Sequence, residues 1–153
     1  MIDIFKIVDE ASKIIEEDGV TIYKETCPID FIRPSYFIST VMDNTTFDTD
    51  INMNVHLTLM ITSFQKTDAR GNCNVKELIH SAMDVKNRFA SVGGVYVENN
   101  FLQINNIKIE FGLDTANIAL TLQYTDIPNN KMPEYETMQD ITIISNMKSG
   151  DGK

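Results

Sequence analysis

Along residues 51–64, INMNVHLTLMITSF, apolar and polar positions alternate. Ile51, Met53, Val55, Leu57, Leu59 and Ile61 take the odd positions. Asn52, Asn54, His56, Thr58 and Thr62 take the even ones, with Met60 and Phe64 as exceptions. Such a period is that of a strand with one face in a core. Residues 3–18 keep a helical period instead. There Ile4, Ile7, Val8, Ala11, Ile14 and Ile15 fall on one face, with Asp3 placed to cap the helix and Gly19 to end it. A second helix is expected over 75–90, with Val75, Leu78, Ile79, Ala82 and Phe89 on its stripe. Asn74 and Glu77 give it the outline of a capping box.

Shorter runs fill in the strands. VTIYKE (20–25) and SYFISTVM (35–42) are rich in β-branched and aromatic residues. DNTTFDTD (43–50) is polar and reads as a long turn that joins 35–42 to 51–64 in a hairpin. QKTDARGNC (65–73) reads as a loop. VYVEN (95–99), FLQINNIKIEFG (101–112, in two pieces about Asn105 and Asn106) and NIALTLQYTDI (117–127) are further strands. PNNKMPEYE (128–136) is a linker, MQDITIISNM (138–147) a final strand and KSGDGK (148–153) a flexible tail. Strand runs set between two helices predict one α+β domain over 1–147, its helices packed on a mostly antiparallel sheet. The expected core holds Ile7, Val8, Ala11, Ile15, Val55, Leu57, Leu59, Leu78, Ala82, Leu120 and Leu122.

Charge narrows the partners. The 153 residues carry a formal net charge of −9. Such a chain lacks the basic footprint that neutralises phosphates, which argues against sequence-independent nucleic-acid binding and against anionic membrane surfaces. Acids crowd the first 30 residues and read as a solvated helix face. Cys27 and Cys73 make no disulfide framework. No signal-peptide run and no apolar stretch of membrane-spanning length appears, so the chain is expected to be made and kept in a reducing cytoplasm.

Candidate chemistry is thin. His56 sits on the polar side of its strand and His80 off the apolar stripe of the second helix, and both read as surface or interface residues. DTDIN (48–52) opens like an EF-hand loop, but Met53 and Leu59 stand where Gly and Glu are required. SNMK (145–148) fits S-x-x-K without a companion motif, and Gly93-Gly94 is no phosphate loop. NTT (44–46) is a glycosylation sequon of no use without a secretory route. Met53, Met60 and Met83 read as core filler, whereas Met132 and Met138 suit an adaptable contact surface. No catalytic constellation, metal site or cofactor site is expected.

Length raises a separate point. A domain of this size has a diameter of about 38 Å if roughly spherical. Fourteen strand residues, 51–64, would span about 46 Å. The strand therefore bends within the body or projects from it. A projecting hairpin would leave bare edges that a partner chain could cover.

MIDIFKIVDEASKII, VTIYKE, IRPSYFIS and the alternating strand, followed by VKELIHSAMDVKNRF, GVYVENNFLQI, ALTLQYTDI and MQDITI, resemble in their order the phage tail terminator family. Its members occur in long-tailed phages, prophages and phage-tail-like bacteriocins. The resemblance covers roughly residues 1–147. It implies a small α+β subunit that forms a hexameric ring at the head-proximal end of the tail tube and ends tube polymerisation. It further implies contact with tube protein, with sheath in contractile particles, and with neck, connector or collar proteins. DNA would pass through the ring without specific binding, and an acid-lined bore would let it slide. Neither enzyme activity nor a cofactor goes with the family. The chain would be made in the bacterial cytoplasm and would end in the virion or tail-like particle. The interface is expected at Asp43, Asn44, Thr46, Phe47, Asp48, Asp50, His56, Arg70 and Met138, with the acids of the turn favouring a basic partner surface. Other readings are a head–tail connector or neck subunit, and a small cytoplasmic ligand-binding α+β domain with an apolar pocket.

Overall fold

The computed structural model describes residues 2–47, 49 and 51–127, and of Met42 its backbone. Asp48, Asp50 and Met138, the linker 128–136, the expected strand 138–147 and the tail 148–153 lie outside the described residues. Within them the fold is α+β: two helices and a six-stranded, mostly antiparallel sheet.

Helix α1 spans Ile4–Ile15. Asp3 caps it by accepting from the Phe5 N–H at 3.0 Å. Ile7, Val8, Ala11 and Ile15 are buried, while Ile4 and Ile14 flank the core. Strand β1 (Thr21–Lys24) runs parallel to β2 (Ser35–Phe47). Strand β3 (Met53–Phe64) returns beside β2, and its odd positions are buried from Met53 to Ser63. Helix α2 (Val75–Val92) starts at the Asn74 cap, whose side chain accepts from the Lys76 and Glu77 N–H groups. It stops at Gly93, whose φ of 79° supplies the left-handed C-cap. Strands β4 (Gly94–Val97), β5 (Asn100–Phe111) and β6 (Thr115–Asp126) complete the sheet, in the order β1-β2-β3-β6-β5-β4.

Every residue of the expected core is buried. Three expectations need correction. The stretch 43–50 is not a long turn, because β2 continues through Asn44–Phe47, each paired with β3. Nor does the hairpin project as a free arm. β6 pairs with β3 along its whole length, from Met53↔Asp126 to Phe64↔Thr115, so β3 is a central strand. Third, the stripe of α2 is narrower than expected: Leu78, Ala82, Val85 and Phe89 are buried, but Val75 and Ile79 are exposed. Met83 is exposed too, and Met60 points to the opposite face of the sheet from the core.

Both helices lie on the face of the sheet that carries Leu57, Leu59, Leu120 and Leu122. The sheet curls around them. Near one margin Lys24 pairs with Asp9 of α1 at 2.9 Å, and near the other Glu98, just past β4, pairs with Lys6. No helix among the described residues is long and apolar enough to cross a membrane.

Candidate assembly interface

Among the described residues no helix lies on the second face of the sheet. On β3 it presents Asn54, His56, Thr58, Met60 and Thr62, and on β6 the residues paired with them, Thr125, Gln123, Thr121, Ala119 and Asn117. In a chain of net charge −9, these two central strands turn not one Asp, Glu, Lys or Arg outward between Asn54 and Thr62. Lys108 and Glu110 of β5 stand farther out and pair with each other at 3.3 Å. Uncharged polar and methyl-bearing side chains over a broad area resemble the depleted-charge centres of protein interfaces more than a solvated surface.

The sheet also keeps open edges. β1 covers β2 only over Ser35–Ile38, so among the described residues Ser39–Phe47 has no strand on that side. β4 covers β5 only over Asn100–Gln103, so among the described residues Asn105–Phe111 has no strand on the opposite side. The two stretches lie at opposite corners. The β2 stretch sits beside the Met53 end of β3, and the β5 stretch lies, across β6, level with its Phe64 end. A bulge opens each stretch, where register shifts between Thr40 and Met42 and between Ile104 and Asn106.

Most of the sequence-predicted interface residues that the structure describes come together at the first corner. Asp43, Asn44, Thr46 and Phe47 are consecutive or nearly so on β2 and all exposed, and His56 pairs with Asn44. Asn44, Thr46 and His56 share the bare face; Asp43 and Phe47 share the helix-bearing side. The Thr45 hydroxyl donates to the Asp43 carboxylate at 2.9 Å. Arg70 does not belong to this group. It lies in the loop beyond Phe64, at the other end of β3, where its N–H donates to Asp68 at 2.8 Å.

Beneath the hairpin, the start of the chain closes the core. The Ile2 N–H donates to Asp126 at 3.0 Å, and Ile2 and Ile4 line a small cavity of about 130 Å³ with Met53, Val55 and Tyr124. Burial, reinforced by Asp126 and Asp43, pushes the Tyr124 hydroxyl up to about 12. A larger groove of about 700 Å³ follows the open β2 edge, lined by Phe5, Ser39 and Thr40 among others.

Sequence reasoning missed the second corner. Ser81, on one flank of α2, meets the Tyr36 hydroxyl at 3.1 Å and the Ser63 hydroxyl at 2.9 Å. At about 100° per residue, Val75, Ile79, Met83 and Lys86 fall on the other flank, toward β5. There they adjoin the open edge with Ile107 and Ile109, which pack only partly on the core. The available signal was the width of the α2 stripe, broader than one sheet contact can bury.

Among the described residues no three His, Cys, Asp or Glu side chains gather in a metal-binding group. Compared with known proteins, the chain matches no family model and no curated protein.

Proposed function

We infer that this chain is a structural assembly subunit, a tail terminator that forms a hexameric ring on the head-proximal end of a phage or phage-like tail tube. One observation carries the reading: a sheet of long strands whose described helices cover one face only, while its central strands β3 and β6 turn no charged side chain onto the other face of an acidic molecule. A monomer gains nothing from keeping such a face clear of charge, whereas an interface centre requires it. The sequence resemblance supplies the particle, and the bare face supplies a physical role for the subunit within it. Tube protein, sheath and neck or collar proteins are the candidate partners of that face and of the strand ends. At one strand end Ile29, Ile32 and Leu113 are exposed, with the Arg33–Asp114 pair holding their loops together. At the other end Phe47, Ile51 and Ile127 are exposed.

The test is negative-stain microscopy of tail tubes polymerised with and without the purified chain. A ring at one tube end, together with arrested growth, is expected. Tubes of unchanged length without an end ring reject the tail reading; a ring seen on the head portal instead selects the neck reading.

A further inference from the structure

We propose that neighbouring copies of this chain join head to tail through strand pairing, the open β2 edge of one copy adding antiparallel to the open β5 edge of the next. The proposal rests on the ring reading and names the surfaces that would close the ring.

Direction agrees first. Strands β2, β3, β6 and β5 alternate in direction, each antiparallel to its neighbour. A copy placed beside β5 with the same face outward therefore presents its β2 antiparallel to that β5. The alternation continues without a break.

Length and offset agree next. Past the bulges, each edge offers a regular run of six residues, Met42–Phe47 and Asn106–Phe111. Opposed residues in an antiparallel pair must share a face. Thr46 of β2 and Asn106 and Lys108 of β5 all belong to the bare face, so Thr46 can oppose either of the two. Because the runs lie at opposite corners, either pairing shifts the neighbour along the strands, by four positions for Asn106 or six for Lys108. With four strands per copy at about 4.8 Å and about 3.3 Å per residue, these shifts tilt the strands by about 35° or 45°. Strands of closed barrels typically tilt by about 35–45°. The diagonal placement of the two edges thus gives an offset in the range that closed barrels use.

Charge agrees last. Asp43 of the incoming strand points to the helix-bearing side, where the flank of α2 carries Lys86. Lys86 has no ion pair among the described residues, although most other described cations do. On the same side Phe47 is exposed, as are Ile79 and Met83 of α2. Acid meets base and apolar meets apolar across a heterologous contact, in which each copy uses two different patches.

Cysteine pairs test the arrangement. In a chain with Cys27 and Cys73 changed to Ser, Thr46→Cys is combined with either Asn106→Cys or Lys108→Cys. All three positions are exposed, so the fold is retained, which a denaturation midpoint checks. Mild oxidation of the concentrated chain should give a disulfide ladder of oligomers with one of the two pairs. Each single variant alone should stay monomeric, and a mixture of the two singles should stop at dimers. Asp43→Lys should weaken association about tenfold or more, and Lys86→Glu should restore it. Oligomers that give no ladder with either pair overturn the edge pairing and leave the ring reading standing. A ladder from chains that cap no tube keeps the edge pairing and removes the tail reading. Dimers from Thr46→Cys alone, or a chain that neither associates nor cross-links, overturn the proposal.

Discussion

Arg33 closes the Phe64 end of the sheet, and removing it should cost more than a surface arginine ordinarily would. Its guanidinium lies 5.1 Å from the centre of the Phe31 ring and 5.4 Å from that of Phe64. The two rings are themselves in contact, with centroids 4.4 Å apart. The same group donates to the Gln65 carbonyl oxygen at 2.8 Å and to the Asp114 carboxylate at 3.3 Å. For Arg33→Ala, each partly exposed ring contact is worth about 0.5 kcal/mol. The charge-assisted bond to a carbonyl is worth about 1.5 kcal/mol. The pair with the half-exposed Asp114 adds only about 0.3 kcal/mol. The expected loss is therefore about 2–3 kcal/mol. With a urea dependence of about 2 kcal/mol per M, the unfolding midpoint falls by about 1 M or slightly more. Arg33→Lys should recover less than half, because an ammonium neither stacks over two rings nor forks to two acceptors. Cys73 supplies a second readout. Burial pushes its thiol up and Arg33 draws it part of the way back, so in a Cys27→Ser background Arg33→Ala should raise its titration midpoint further. A urea midpoint that does not move, with the thiol titrating as before, would refute the clamp.

Three other outcomes follow from the geometry. A Cβ built on Gly94 meets the Leu102 carbonyl oxygen at 2.4 Å and the Phe101 ring at 2.5 Å, so Gly94→Ala should cost about 3 kcal/mol by the same urea assay; a neutral result would mean that β4 and β5 do not approach so closely. The raised Tyr124 hydroxyl keeps its proton where the unfolded chain has lost it. Its contribution is whole below about pH 10 and is lost as the pH rises toward about 12, with Tyr36, also raised by burial, acting in the same sense. Tyr124→Phe should therefore flatten the fall of the denaturation midpoint over that window, and an unchanged slope would count against the assignment. Thr121→Arg, at the centre of the bare face, should change the stability of the isolated chain by less than about 0.5 kcal/mol yet abolish assembly, because an unpaired arginine would be desolvated there. Normal tube capping by that variant would show that the face meets solvent.

The sequence disclosed most of the fold because its local signals did not conflict. Asp3 and Asn74 mark helix starts by chemistry confined to a turn, and each does so in the structure, whereas Gly19, expected to end α1, lies beyond its actual C-cap, Glu16. The alternation of β3 places its buried face residue by residue. What stayed hidden depends on partners far away in the chain. Asn44, Thr45 and Thr46 look like turn residues, and the bulge at Val41 shifts the alternation just before them, so the period that would announce a strand is broken. Only pairing with Asn54–His56 reveals that they belong to β2. The length of β3 suggested a free arm because its second neighbour, β6, lies about sixty residues further along the sequence. The same gap explains the half-read interface. Asp43 and Phe47 stood out by their own chemistry, but Lys86, Ile79 and Met83 acquire meaning only once α2 is seen to lie beside the edge of β5 that no described strand covers. A hydrophobic stripe reports how much apolar surface a helix must cover, not how much of the cover its own chain supplies. On α2 the core takes Leu78, Ala82, Val85 and Phe89 and leaves Val75, Ile79 and Met83 exposed, so any cover for them has to come from beyond the described fold.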